Sequence, residues 1–198
     1  MNIAHFFTII RIFIAPFFPL IYLHPEWFHL ALPYMPYVLL AILIVCEVTD
    51  LIDGYLARSR KLVSDLGKVL DPMADSITRM LILFSFTQGP VGVSILLIFV
   101  FLYREFIIST LRTICALRGY ALAARKSGKI KAIFLAVVNF FVVILLIFYQ
   151  LNWIELPTYQ WICFSVIALA AAYSVITAVE YIYVNREHVK KILSNPSP

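Results

Sequence analysis

Charge is scarce in this chain. Only 14% of its 198 residues are Asp, Glu, Lys or Arg, against about a quarter in a water-soluble domain. Hydrophobic residues make up 63%, and the mean hydropathy is +0.93. So little charge cannot clothe a soluble surface, so the solvent implied is lipid. Cysteine is scarce too: Cys46, Cys115 and Cys163 lie far apart with no CxxC pair. That excludes a disulfide framework and a thiolate zinc site, and leaves three small apolar packers. No internal repeat, low-complexity tract, interdomain linker or aromatic-basic ladder for nucleic acid appears. Positive charge before the first apolar run is also missing. Arg11 lies inside that run and "IYLHPEW" follows it, so no cleaved signal peptide is expected.

What is present is a series of long apolar runs. A helical span needs about 20 such residues. The sequence predicts six, at about 6–23, 33–57, 69–88, 91–117, 132–151 and 158–184. The expected fold is an all-α membrane protein, one domain over 1–198. Residues 2–10 are expected as a short interfacial segment, and about 193–198 as a disordered tail.

The 16 Lys and Arg residues are absent from 12–57, 80–103 and 132–185. Those gaps contain the loops "LHPEWFHLALPY", "TQGPVG" and "LNWIELPT". Cytoplasmic loops retain Lys and Arg, which puts both termini and the loops after spans two and four in the cytoplasm. The net charge of +5 is then a topology signal and an attraction for anionic lipid heads. His24 and His29 fall in an outer loop with Glu26 as their nearby acid, and no metal site is expected there.

The acids are few but placed with a register. Span two ends in "CEVTDLIDGYLAR", where Asp50, Asp53 and Ala57 share one helix face, at 3.6 residues per turn. Span three opens in "GKVLDPMADSITR", with Gly67, Asp71, Asp75 and Arg79 on one face. A short connection makes the two helices antiparallel neighbours, so their ends can bring four carboxylates together. Like charges at close range oppose ionisation, and divalent cations relieve that. All-oxygen ligation selects a hard ion, Mg²⁺ or Mn²⁺, and four carboxylates suffice for two ions. Two such ions are a common clamp on phosphoryl groups. Gly54, Ala57 and Gly67 leave room for a bulky phosphorylated ligand. A rival reading needs no metal: Asp71 caps a helix with Pro72 at its first position, and Asp50 and Asp53 pair with Arg58, Arg60 or Lys61.

The string Asp50-x2-Asp53-Gly54-x2-Ala57-Arg58-x8-Gly67-x3-Asp71-x3-Asp75 resembles the signature of the CDP-alcohol phosphatidyltransferases. The resemblance implies cleavage of a CDP-linked lipid or alcohol at its pyrophosphate, with CMP leaving and an alcohol hydroxyl esterified to the retained phosphate. It assigns Asp50, Asp53, Asp71 and Asp75 to two metal ions and makes Asp75 the general base. It lines the CDP pocket with Gly54, Ala57, Arg58 and Gly67. It also implies a homodimer. The Lys and Arg distribution puts the active site on the cytoplasmic side, of a bacterial cytoplasmic membrane or of an organelle's inner membrane.

A second cluster, "YREFIISTLR" followed by "RGYALAARKSGKIK", is basic. Arg104, Arg112, Lys129 and Lys131 are candidates for an anionic acceptor, unless Glu105 or another acid merely pairs with Arg104. "REF…R" with "GKIK", and "FTIIRIFIAP" near the N-terminus, are similar to the phosphatidylglycerophosphate synthase branch. There the donor is CDP-diacylglycerol and the acceptor sn-glycerol 3-phosphate. The same chemistry with inositol, inositol phosphate, serine or choline stays open. From a different class, an ion-coupled transporter would also explain intramembrane acids, although the two-halved symmetry of many transporters is missing.

Overall fold

The first apolar stretch does not form one helix. In the computed structural model, helix α1 runs Ile3–Ile14 and α2 runs Phe17–Leu23, with a turn at Ala15 and Pro16 between them. Proline has no N–H to continue the ladder, so the expected span over about 6–23 is two short helices. The structure describes residues 3–59, 65–117 and 126–186, with side chains described over 8–52, 73–115, 128 and 130–186. After two short 3-10 turns come α3 (Met35–Ser59), α4 (Asp65–Ser85), α5 (Ile95–Leu117), α6 (Lys126–Gln150) and α7 (Leu156–Val184). No strand occurs among the described residues.

These long helices fall close to the five remaining predicted spans. The start of α5 is later than expected because the turn after α4 extends through Gly89 and Gly92, both at positive φ. Among the described residues, three helical stretches are long and apolar enough to cross a membrane: Leu32–Ile52, Ile130–Gln150 and Leu156–Val184. In lipid, helices keep every backbone N–H and C=O satisfied within the segment, which is why these runs fold this way.

The described interior is largely apolar, but so is much of the surface: Phe13, Leu51, Leu96, Phe106, Ile133 and Leu169 are exposed, while Thr8, Arg11, Arg104, Lys131 and Asn139 are buried. An apolar exterior with a few buried polar side chains suits a hydrocarbon surround.

The chain divides into two units, one of residues 1–93 with 139–164, the other of 94–138 with 165–198. In the first, α1 and α2 each pack on both α3 and α4. Phe86, just after α4, packs edge-on against Phe18 at 6.0 Å and Tyr22 at 5.9 Å. The Tyr22 hydroxyl donates to the Gln88 carbonyl at 3.0 Å and accepts from the Val91 N–H at 3.2 Å. In the second unit, Ile98, Phe101, Ile108, Leu135, Val138 and Ile167 are buried, and Phe134 meets Tyr173 edge-on at 5.8 Å. Cys46, Cys115 and Cys163 are buried and form no disulfide among the described residues, as small packers would be.

Candidate active site

The buried stripe of α3 runs Met35, Leu39, Leu43, Cys46 and Thr49, at the three- and four-residue steps of a helix face. Thr49 is the first polar residue on it, and its hydroxyl is satisfied by the carbonyls of Val45 at 2.8 Å and Cys46 at 2.9 Å. Asp50 stands beside this stripe with its side chain 40% exposed. From α1, Arg11 reaches it: Nη1 donates to Asp50 Oδ1 at 2.6 Å, and the Arg11 side chain is only 2% exposed.

Helix α4 carries a matching arrangement. Ala74, Thr78 and Ile82 are buried at successive turns. Asp75 lies beside Ala74, and its Oδ1 accepts from Arg79 Nη2 at 2.6 Å. Glu47, one turn before Asp50, is within electrostatic reach of Arg79, Asp75, Asp50 and Arg11. Helices α1, α3 and α4 thus gather acids from two helices and guanidiniums from two, in a region with apolar residues on its inner side.

Of the four acids singled out in the sequence, Asp50 and Asp75 both lie within electrostatic range of Glu47. The side chains of Asp53, Gly54, Ala57, Arg58, Gly67 and Asp71 lie outside the described residues. Their backbone is helical, which keeps Asp53 one turn after Asp50 and Asp71 one turn before Asp75. Among the described residues no three His, Cys, Asp or Glu side chains converge as a metal site. The donors that are described, Asp50 and Asp75, offer oxygen alone and fit a hard divalent ion in type.

One rival reading of these acids does not hold: helix α4 includes Asp65, so Asp71 and Pro72 lie inside it and Asp71 is no N-cap. Asp50 meets Arg11, 39 residues away; the pairing of Asp53 with Arg58, Arg60 or Lys61 lies outside the described residues. The sequence marked Arg11 as part of the "FTIIRIFIAP" pattern; a lone cation inside an apolar run was the signal that it has an acid to meet.

The second unit holds the basic residues. Glu105 accepts from Arg104 Nη1 at 3.0 Å and from Lys131 Nζ at 2.9 Å, joining α5 to α6. Arg104 and Lys131 are buried, with side chains 8% and 9% exposed. The pairing with Glu105 foreseen as a rival to acceptor binding is therefore present. Arg112, two turns further along α5, is exposed. It lies over the ring of Tyr181 from α7, with Cζ 5.3 Å from the ring centroid and Nε 3.4 Å from the hydroxyl. Tyr181, one of 11 tyrosines in an aromatic-rich chain, carried no signal in the sequence. The Lys129 side chain lies outside the described residues.

Residues 1–176 match the family described as CDP-alcohol phosphatidyltransferase. Several curated relatives share the name CDP-diacylglycerol–glycerol-3-phosphate 3-phosphatidyltransferase. The one from Bacillus subtilis (strain 168) is 34% identical over 139 residues, covering 66% of this chain and 70% of the relative. That from Treponema pallidum (strain Nichols) is 34% identical over 143 residues, covering 66% and 63%. That from Haemophilus influenzae (strain ATCC 51907 / DSM 11121 / KW20 / Rd) is 36% identical over 113 residues, covering 56% and 57%. This chain therefore spans between just over half and about two thirds of the length of these relatives.

Proposed function

This chain belongs to the CDP-alcohol phosphatidyltransferase family, and on that premise we propose that it transfers the phosphatidyl group of CDP-diacylglycerol to sn-glycerol 3-phosphate. The products are phosphatidylglycerophosphate and CMP, a step of phospholipid biosynthesis. The acceptor follows the shared name of the relatives and the basic residues of α5 and α6.

In the reaction, the acceptor hydroxyl oxygen bonds to the phosphorus that carries diacylglycerol. The bond from that phosphorus to the CMP oxygen breaks, and CMP leaves with the electron pair. Asp75 takes the hydroxyl proton; Arg79, bound to Asp75 Oδ1, fixes the carboxylate plane. Gly54, Ala57, Arg58 and Gly67 line the CDP pocket. Arg104, Arg112, Lys129 and Lys131 receive the acceptor phosphate. Arg104 and Lys131 share Glu105, so their net pull on an anion is moderated, whereas Arg112 has no acid beside it among the described residues.

Asp50, Asp53, Asp71 and Asp75 would hold two divalent ions, Mg²⁺ or Mn²⁺. When bound, such ions neutralise charge that develops on the departing nucleotide. The protein sits in a bacterial cytoplasmic membrane as a homodimer, with its termini and site on the cytoplasmic face. The Lys and Arg distribution supports that orientation; the dimer follows the family.

The observation that carries the reading is the eight-position string from Asp50 to Asp75 on two consecutive helices, in a chain several of whose curated relatives share one name. A second reading, the same chemistry on inositol, inositol phosphate, serine or choline, rests on departures from the synthase branch. Ala4 and His5, Ser76 and Ala132 stand where that branch commonly reads Pro-Asn, Lys and Thr. The test is an acceptor panel with purified protein, CDP-diacylglycerol and Mn²⁺, following CMP release. Release with glycerol 3-phosphate alone is expected; release only with one of the other alcohols would move the assignment.

A further inference from the structure

The cations of the second unit are engaged to different degrees. Arg104 and Lys131 are buried and share the carboxylate of Glu105. Arg112 is exposed and is held without an acid. The Tyr181 ring lies beneath its guanidinium at 5.3 Å, and the Tyr181 hydroxyl accepts from its Nε at 3.4 Å. Tyr181 is itself only 4% exposed. It sits in the last turn of α7, and that turn is tied off by Asn185. The Asn185 side-chain amide donates to the Tyr181 carbonyl at 2.7 Å, and its backbone N–H does so at 3.2 Å. The aromatic platform is thus fixed at its own backbone.

A guanidinium presents five N–H donors in one plane. In Arg112 the inner edge, Nε, and one face are committed to Tyr181. Nη1 and Nη2 meet no partner among the described residues. That outer edge is the one that grips two oxygens of a phosphate in parallel hydrogen bonds. Ring contact costs the cation none of those donors, whereas a carboxylate in the same place would compete with the incoming anion. A tyrosine is therefore the kind of neighbour that orients an arginine while leaving its charge available for a ligand.

We propose that Tyr181 is a positioning residue that presents the Arg112 fork to the phosphate of the acceptor alcohol. This rests on the reading of Arg112 as an acceptor-binding residue. A purely structural role, stapling α5 to α7, makes a different prediction. It would lower stability and affect both substrates alike.

The experiment measures KM separately for glycerol 3-phosphate and CDP-diacylglycerol, with the full chain in mixed micelles and Mn²⁺. Arg112→Ala is expected to raise the acceptor KM about tenfold or more, the scale of a charge-assisted contact. Tyr181→Leu, which removes ring and hydroxyl, should raise it about five- to tenfold, and Tyr181→Phe, which keeps the ring, about twofold. The CDP-diacylglycerol KM stays at the wild-type value in all three. The double variant Arg112→Ala/Tyr181→Leu should be no worse than Arg112→Ala alone, because nothing remains for Tyr181 to orient. If Arg112→Ala raises the acceptor KM and Tyr181→Leu does not, the proposal is overturned and the acceptor reading stands. If Arg112→Ala leaves that KM unchanged, the acceptor role of Arg112 falls and the proposal with it. Equal rises in both KM values for Tyr181→Leu would also overturn it, in favour of the staple. Should Tyr181→Leu not fold, Tyr181→Met and Tyr181→Phe carry the same comparison of ring kept against ring lost.

Discussion

Asp50 and Asp75 each share one oxygen with a guanidinium, Arg11 from another helix and Arg79 from the same one. A carboxylate gripped at one oxygen has a fixed plane, and its second oxygen is aimed rather than free to rotate. Replacing Asp75 by Asn removes the proton acceptor with little change of shape. We expect turnover to fall by about 10²- to 10⁴-fold, the usual contribution of a positioned base, with CDP-lipid binding retained. CMP release alongside equilibrium binding of the lipid checks both halves, and full activity would remove Asp75 from this role. Arg11 is nearly fully buried, so its loss leaves Asp50 without the partner it meets here. Arg11→Ala should lower stability by about 1–3 kcal/mol, the scale of a hydrogen bond between charged groups, with Arg11→Lys recovering part of it. Thermal melts in detergent read this directly, and unchanged melting would show that the pair contributes nothing to the fold.

At the scale of elements, the acidic register was legible because helical spacing alone fixes it: Asp50 to Asp53, and Asp71 to Asp75, are single turns on α3 and α4. The partners of those acids were not. Arg11 lies 39 residues from Asp50 in the chain, and no local pattern announces a contact of that separation. The break between α1 and α2 was written in the sequence as Pro16, but an apolar run on both sides of it reads as one span. The start of α4 was also missed, since apolar content rises only after the charged first turns that already belong to the helix. Packing at the other end of α4 rests on Phe86 against Phe18 and Tyr22. Phe86→Ala should cost about 3–5 kcal/mol, as for other buried aromatics cut to alanine, while the catalytic residues stay untouched. The expected result is a lowered melting temperature with KM values preserved; a melting temperature equal to wild type would deny this cluster its part in joining α2 to α4.

At the scale of the molecule, the sequence spoke most clearly through its extremes. Low charge and long apolar runs foretold helices with apolar exteriors, and the exposed Phe13, Leu51 and Leu96 together with the buried Arg11, Arg104 and Lys131 bear that out. Function was legible only where residue type and spacing jointly narrow the chemistry, as from Asp50 to Asp75. Tyr181 shows the limit, since an aromatic in an aromatic-rich helix gains a role only from what it touches. The asymmetric placement of Lys and Arg carries a prediction at this scale: a periplasm-dependent phosphatase reporter fused after Gly89 should be active, and one fused after Lys191 silent. The reverse pattern would invert the orientation.

The central claim is that paired acidic helices use divalent ions to release CMP from a CDP-lipid. Its most direct test follows CMP release from CDP-diacylglycerol with glycerol 3-phosphate by protein stripped with EDTA, then titrated with Mg²⁺ or Mn²⁺. The account predicts no release after stripping and recovery on adding either ion, with Asp50→Asn and Asp71→Asn failing to recover. Release that proceeds unchanged through chelation would contradict it.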